Sequence, residues 1–263
     1  MRRTVGLALA AAVFASMTTP AHPQVEPHRA EYTLRLGAAL NAPRIGKAVQ
    51  ELVQDCGGWH IKRDISTEIA LTAAWKLTVA SSLDGQESRG GGGFRFRTVQ
   101  STNGSERETR GRVSRQGSET RAEIASDPPL QYTLPGPTMM PIEAIGHLIE
   151  RLRAGAAAFP ALTFDAEVIR DTFLVDVTEL DAGTLRAERP GDRPVVVPAR
   201  KSWPVAMSFT PGRRQDQRPL FTVKALVFDS GVLDRLTVDT GMVIVTADLQ
   251  SLKMLPQPNC PRS

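Results

Sequence analysis

The chain has 263 residues with a mass of 28.5 kDa, and 41% of its residues are hydrophobic, so it is long enough to bury a substantial core. Charged residues make up 23% with both signs mixed, which argues against a disordered chain or a coiled coil. Two cysteines exclude a disulfide-dense small scaffold and a four-cysteine zinc site. Composition alone does not point to an activity.

The first 21 residues have the three-part layout of a secretory signal peptide. A basic start at residues 1–3 precedes an uninterrupted apolar run over 5–15, and small residues follow at 19–21, where a signal peptidase would cleave. The apolar run is too short to span a bilayer, and no cysteine follows it as a lipoprotein anchor would require. An uncleaved anchor or a buried helix is the alternative. We predict a cleaved signal peptide over 1–21 and export of the remaining chain.

Removal of this leader changes the charge of the protein. The leader contains two arginines and no acidic residue, so Lys plus Arg falls from 32 to 30 against 28 Asp plus Glu. The remaining chain is then nearly neutral, and the sequence pI of 9.4 is a poor argument for nucleic-acid binding. We predict no nucleic-acid partner.

Before a single helical segment, the chain shows the period-two alternation typical of strands with one solvated face. Residues 28–36 alternate in this way, and residues 65–81 do so over an unusually long stretch. The alternation resumes at 94–98, after four glycines at 90–93. Residues 107–125 alternate charged and small side chains, which is typical of an exposed hairpin.

Residues 141–154 break this rhythm and predict one amphipathic helix. Pro141 and Glu143 suit its first turn, and Gly155 can end it. Its apolar residues recur at three- and four-residue spacings on one helical face, at Ile142, Ile145, Leu148, Ile149 and Leu152.

Strands are predicted again after the helix. Asp229-Ser230-Gly231 lies between two of them and predicts a hairpin turn. About a dozen strands with frequent turns favour a closed or nearly closed antiparallel barrel or sandwich. No linker-like stretch divides the chain, so we predict a single domain over 22–263. The later candidate strands are 162–178, which holds two apolar stretches, 184–188, 194–198, 203–209, 220–228, 232–239 and 243–249.

Cys56 and Cys260 stand 204 positions apart. In an oxidising compartment two lone cysteines most often pair, and the bond would tie the C-terminal tail to an early strand. Two free thiols or a redox-active pair are the alternatives, although the close Cys-x-x-Cys spacing of a catalytic pair is absent. We predict a structural disulfide between Cys56 and Cys260.

The usual motifs of catalysis are missing from the sequence. It contains no Gly-x-Ser-x-Gly, Ser-x-x-Lys or His-Glu-x-x-His, and the glycines at 90–93 lack the Lys-Ser/Thr of a phosphate loop. Asp229 and Asp239 are either a carboxylate pair or, more simply, turn formers. We predict no enzymatic activity, no metal and no cofactor. The four histidines lack metal-ligand spacing and are expected to be structural or solvated: His22, His28, His60 and His147.

A set of short segments, in order from residue 28 to residue 260, resembles the bacterial periplasmic cell-envelope integrity protein family called EipB. Each segment alone is weak, whereas the ordered set is fairly specific and covers essentially the whole mature chain. The segments are His28-Arg29-Ala30-x-Tyr32-x-Leu34-x-Leu36, Cys56-x-Gly58-Trp59, Phe94-Arg95-Phe96-x-Thr98, Leu148-Ile149…Ala154-Gly155, Phe164-Asp165, Trp203-Pro204-Val205, Gly231-Val232…Leu236-x-x-Asp239-x-Gly241 and Leu255-Pro256…Cys260.

The resemblance implies a mainly β fold, a monomeric open antiparallel β-barrel or β-spiral of about fourteen strands with one amphipathic helix and the Cys56–Cys260 disulfide. It also implies a non-enzymatic role in the periplasm, where the protein would maintain the envelope under stress with a tetratricopeptide-repeat protein as functional associate. The alternative is a carrier or sensor of a lipid or other apolar envelope molecule, because a barrel of this size can enclose a cavity. The long alternating stretch around Trp75 and the helix favour that alternative, unless their side chains simply fill the core.

Overall fold

The computed structural model describes residues 25–70, 76–189, 195–199, 201–212 and 218–260. Its strands form a single antiparallel sheet of fourteen strands, and one α-helix, α1 (Pro141–Arg153), packs on it. This confirms the mainly β open-barrel fold with one amphipathic helix. The strands are β1 (His28–Leu36), β2 (Arg44–Gln54), β3 (Gly58–Ala70), β4 (Lys76–Ser88), β5 (Gly93–Thr102), β6 (Ser105–Gln116), β7 (Glu119–Ala125), β8 (Leu130–Leu134), β9 (Ala158–Asp165), β10 (Asp171–Glu179), β11 (Ser202–Pro211), β12 (Phe221–Phe228), β13 (Leu233–Asp239) and β14 (Ile244–Met254).

The sheet consists of two meanders joined at one place. Strands β1 to β8 each pair with the next strand along the chain, as do β9 to β14, and the pairing of β1 with β14 joins the two series. In that pairing His28 lies opposite Met254, and Leu36 lies opposite Val245. The spatial order is therefore β8-β7-β6-β5-β4-β3-β2-β1-β14-β13-β12-β11-β10-β9.

Because all neighbours are antiparallel, the strand connections alternate between two ends of the curled sheet. We call the end that α1 crosses the helix end; it holds the β2–β3, β4–β5 and β12–β13 turns. We call the opposite end, with the β1–β2, β9–β10, β11–β12 and β13–β14 connections, the open end. The β5–β6 and β7–β8 connections also lie at the open end, as do the last residue of β3 and the first residue of β4.

The two edge strands, β8 and β9, meet at a seam without forming a regular ladder. Just after β8, Met139 forms a parallel bridge with Thr163 of β9, with the backbone N–H of Met139 donating to the Leu162 carbonyl at 2.8 Å. The Tyr132 hydroxyl donates to the backbone carbonyl of Arg170 across the same seam. These contacts curl the sheet into a barrel that is held at its seam by a few bonds.

Helix α1 forms where the 3.6-residue pattern predicts it. Pro141 occupies the first turn, and the Glu143 carboxylate accepts the backbone N–H of Met140 at 3.1 Å, which satisfies one otherwise unpaired helix donor. The apolar face buries Ile142, Ile149 and Leu152 against the sheet. This confirms the predicted helix to within one residue at its C-terminal end.

Aromatic side chains fill much of the barrel interior. Phe94 and Phe96 of β5 stack with ring centroids 5.7 Å apart, and Phe164 of β9 packs on both. A second group forms around Phe209 and Phe221, whose ring centroids are 4.6 Å apart. Full burial of a ring such as that of Phe94 or Phe164 contributes about 1.5–3 kcal/mol to stability.

The long alternating stretch at 65–81 is two strands and not one. Residues up to Ala70 belong to β3 and residues from Lys76 belong to β4, and these two residues are paired across the hairpin. Residues 71–75, which include Trp75, lie outside the described residues. The alternation keeps its phase on both sides of the reversal, with Ile69 opposite Leu77, so the period alone does not reveal the turn.

Two short predicted strands are also wrong. Thr184 ends a 3₁₀ helix (Ala182–Thr184), and residues 185–188 have no strand conformation, although Leu185 is buried. The described part of 194–198, residues 195–198, is likewise irregular. The preceding strand, β10, already has β9 and β11 as neighbours, so the sheet offers no free edge there. No helix of the described residues is long and apolar enough to cross a membrane.

Candidate functional site

A disulfide at the helix end joins Cys56 to Cys260, with their Cα atoms 5.5 Å apart. Cys56 lies in the turn between β2 and β3 and not on a strand, so the C-terminal tail is tied to a turn. This corrects the expectation that an early strand would receive the tail. The reason is geometric: β2 and β3 are paired with each other up to Gln54 and Trp59, and the cysteine stands beyond that pairing.

The turn that carries Cys56 is ordered by its neighbours. The Asp55 carboxylate accepts the backbone N–H groups of Gly57 and Gly58 at 2.7 and 2.8 Å, and it lies 2.7 Å from Nε2 of His60. The bond from His60, followed by those from Gly58 and Gly57, lowers the pKa of Asp55. A Cβ atom on Gly58 would lie 2.0 Å from the Glu87 carbonyl oxygen, so this position requires glycine.

Glu87 is a buried carboxylate at the N-terminus of α1. It accepts the backbone N–H groups of Ile142 at 2.7 Å and Glu143 at 2.9 Å, which are unpaired within the helix itself. Glu87 is only 4% exposed to solvent. Burial raises the pKa of Glu87 to about 7, against the two backbone hydrogen bonds, which lower it. The site therefore anchors the helix through a carboxyl group that titrates near neutrality.

Arg115 of β6 completes this anchor. Its guanidinium contacts both oxygens of Glu143 at 3.0 and 2.9 Å and donates to the Thr138 carbonyl at 2.8 Å. On the other side, Gly91 of the β4–β5 turn has a φ of +68°, and a Cβ atom there would lie 2.6 Å from the Glu143 carboxylate. The glycines at 90–93 thus form a turn that packs on the helix N-terminus.

At the open end, the β9–β10 turn directs Glu167 into the barrel. Its carboxylate accepts hydrogen bonds from Arg63 at 2.6 Å and from Ser81 at 3.1 Å. The side-chain amide of Gln100 donates to the Glu167 backbone carbonyl at 2.7 Å. The turn is therefore fixed to β3, β4 and β5, on the far wall of the barrel.

A cavity of about 700 Å³ lies beside this turn. It occupies the open end between the strands β6 to β8 and the β9–β10 turn. It is a half-open depression whose wall includes Ile124, Leu130, Tyr132 and Ile169, and whose rim carries both signs of charge, from Arg107, Arg170, Glu108 and Asp171.

The other residues singled out from the sequence serve local contacts. Asp239 accepts the backbone N–H of Gly241 at 2.7 Å at the open end, whereas Asp229 lies 3.4 Å from Arg153 at the helix end. The two aspartates therefore do not form a carboxylate pair. The described residues contain no group of three or more side chains that could hold a metal ion.

The described histidines lie apart from one another. Nδ1 of His28, which is buried, lies 2.7 Å from the carbonyl of Glu26. His60 is paired with Asp55 as above, and His147 packs edge-on against Phe159. His22 lies outside the described residues.

Sequence reasoning missed the buried ionic groups. Glu87 and Glu167 stand in ordinary alternating strand and turn contexts, and their partners are distant in sequence. Arg189 is a third case: its side chain is nearly fully buried, pairs with Asp248 at 2.9 Å and donates to the Leu40 carbonyl at 2.8 Å. No spacing rule links these residues; the buried polar positions could be found only after the strand pairing was known.

A model of the family described as EipB-like matches residues 19–256. Among solved structures, the chain is similar to a β-barrel-like protein of a domain of unknown function from Brucella abortus, with a TM-score of 0.74 and 19% sequence identity. The match covers 89% of this chain and 100% of that one, and at this identity it shows the shared fold. No curated protein sequence matches.

Proposed function

Because this chain belongs to the EipB-like family, we propose that it is an exported periplasmic protein that maintains the integrity of the cell envelope by binding and not by catalysis. The observation that carries the proposal is the disulfide between Cys56 and Cys260, since such bonds persist in oxidising compartments and are rare in the cytosol. The leader layout over residues 1–21 supports the same location.

A non-enzymatic role is supported by how the buried carboxylates are used. Glu87 is bonded to the first turn of α1, and Glu167 is bonded to Arg63 and Ser81. Both groups hold parts of the fold together, and each is engaged by the protein itself. We propose that the protein acts as a monomer, with a periplasmic tetratricopeptide-repeat protein as its functional associate and without a cofactor.

The test is deletion of the gene, followed by complementation. Cells without the protein are expected to become sensitive to detergent and to cell-wall antibiotics, and the full-length chain is expected to restore resistance. A chain lacking residues 1–21 is the matched control: it should be made and should fail to restore resistance. Unchanged sensitivity on deletion, or rescue by the leaderless chain, would contradict the proposal. Loss of the tetratricopeptide-repeat associate is expected to give the same sensitivities.

A second candidate function is transport or sensing of an apolar envelope molecule, which the cavity of about 700 Å³ favours. Native mass spectrometry of protein purified from the periplasm without detergent should then show a bound molecule. Ile124→Trp, which fills the cavity, should abolish that added mass, whereas Lys62→Trp, at an exposed position of β3 outside the cavity, should not. Repeated absence of any bound molecule from the native protein would remove this candidate.

A further inference from the structure

The long connection between β10 and β11 lies across the outer face of the sheet, and we call it the strap (residues 180–201). Both of its ends are at the helix end, beside the last residue of β10 and the first residue of β11. Between these ends, Arg189 reaches the β1–β2 connection at the open end and donates to the Leu40 carbonyl at 2.8 Å. The strap therefore covers part of β1 and β14, the two strands that join the meanders.

Two arginines of the strap are buried against β14 and share one carboxylate. The side chains of Arg186 and Arg189 are 7% and 2% exposed, and both contact Asp248. Arg189 also donates to the Thr246 hydroxyl at 2.8 Å, on the same outer face of β14. Two guanidinium charges thus share one counter-charge in a place that water does not reach, where an uncompensated charge is costly.

Two further arginines extend this group onto β1 and β2. The strand register places Arg35 opposite Thr246 on one side and opposite Arg44 on the other. Arg35 donates to the Ala42 carbonyl at 3.0 Å, and Arg44 donates to the Thr33 hydroxyl at 3.2 Å, so each bonds to a neutral oxygen. We call the four guanidinium groups and the one carboxylate the arginine cluster: Arg35, Arg44, Arg186, Arg189 and Asp248.

The positive charge of the arginine cluster is not balanced by the other described acids on this face. Glu188 of the strap is exposed and forms no ion pair with a described residue. Lys47 of β2 and Asp64 of β3 lie farther out and offset each other. Even when Glu188 is counted, four guanidinium groups stand against two carboxylates. The acids on this face of β1 and β2 are both paired with Arg29: Glu31 and Glu51.

Two N–H donors of the arginine cluster have no partner among the described residues. The Nε atoms of Arg35 and Arg186 are buried and donate no hydrogen bond. The side chain of Arg186 is more than nine-tenths buried, so bulk water does not satisfy its Nε. Because buried donors are normally bonded, the cluster calls for a further acceptor, and the excess of positive charge favours an anion.

We propose that the arginine cluster binds a phosphate group between the strap and the β1–β2 connection. Guanidinium groups donate pairs of hydrogen bonds to phosphate oxygens, and a phosphate with close to two negative charges offsets the excess positive charge. Arg44 is exposed and Arg35 is half-buried, so the group enters from solvent on this side. The chemistry fits the free ion and a phosphate monoester on a larger molecule alike.

The test is isothermal titration calorimetry of the mature, disulfide-bonded chain at fixed ionic strength, with inorganic phosphate in one arm and glycerol 3-phosphate in the other. Saturable binding of one equivalent is expected in at least one arm, together with a Tm that rises with the concentration of that anion. Binding in both arms supports a site for phosphate groups on larger molecules, and binding of inorganic phosphate alone supports a site for the free ion.

Matched variants locate the binding. Arg35→Gln and Arg44→Gln should each weaken phosphate affinity about tenfold, because each removes a charged hydrogen bond to the anion. Arg95→Gln is the control for Arg44→Gln, since Arg95 is also exposed and bonds only to a neutral group, Gln86 at 2.9 Å on β4. Its affinity for phosphate should equal that of the wild type.

Three results would overturn the proposal. The first is the absence of saturable binding in both arms. The second is a rise in Tm that sodium chloride of equal ionic strength reproduces, because that effect is only the screening of charges. The third is a pattern of affinities in which Arg35→Gln and Arg44→Gln bind as the wild type does, or in which Arg95→Gln loses as much affinity as they do.

Discussion

At the scale of single residues, the surroundings of Glu87 shift its pKa in opposing directions. Burial favours its neutral form, whereas the two backbone N–H groups of α1 and the nearby Arg115 favour the carboxylate. Glu143, also close, disfavours a second negative charge. Because burial prevails, the pKa is raised to about 7, and the helix is anchored by a group whose charge changes in the physiological range.

This pKa fixes the sign of a pH effect. The unfolded chain releases the Glu87 proton near its ordinary pKa of 4.5, before the folded chain does. The contribution of Glu87 to stability is therefore fully present below pH 4.5 and is lost as the pH rises to about 7, by about 3 kcal/mol. Glu87→Gln, which keeps an acceptor for the helix, should flatten the decline of Tm between pH 5 and 7.5. An identical decline in both proteins would contradict this account.

Asp248, by contrast, is a buried residue whose two carboxylate oxygens both form ion pairs. It pairs with Arg186 and Arg189, both of whose side chains are under 10% exposed. Asp248→Asn would leave two buried guanidinium groups without a counter-charge and should lower the free energy of unfolding by about 3–5 kcal/mol. Denaturant titration measures this. Glu123→Gln, which breaks an outer-face pair with Arg112, is the control and should cost less than about 1 kcal/mol.

At the scale of elements, the disulfide holds the C-terminal tail to the β2–β3 turn. A closed loop of 204 residues contributes roughly 5 kcal/mol in the chain-entropy description. Cys56→Ser and Cys260→Ser should each lower Tm by several degrees, and the double variant should melt no lower than the single ones. Unchanged melting in oxidising buffer would show that the bond does not stabilise the fold.

The elements divide into those that local pattern predicts and those that it does not. Helix α1 has its own periodicity, capping residues and stop signal, and the hairpin around Asp229-Ser230-Gly231 has a turn glycine with positive φ. The stretch at 65–81 was predicted as one long strand because the two strands that it contains alternate in the same phase. The stretch at 184–188 was predicted as a strand, but its one large apolar residue, Leu185, is buried without joining the sheet. Whether such residues join a sheet depends on a free edge, which is a property of the whole molecule.

At the scale of the whole molecule, the two ends of the barrel differ in what they expose. The helix end is covered by α1 and tied by Cys56–Cys260, whereas the open end carries the cavity and exposed apolar turn residues. The cysteine pair could be predicted from the sequence because two lone cysteines can only pair, remain free thiols or form a redox-active pair. The open end could not, because Leu40, Val168 and Met242 are brought to one end only through the order of the strands.

The junction of the two meanders also sets the order in which this chain can assemble. Each meander grows from hairpins between consecutive strands, but β1 finds its second neighbour only in β14, the last strand to be synthesised. For a chain that crosses a membrane from its N-terminus, as we propose, the barrel therefore cannot be completed before translocation has nearly ended. The tail that carries Cys260 then arrives last at Cys56.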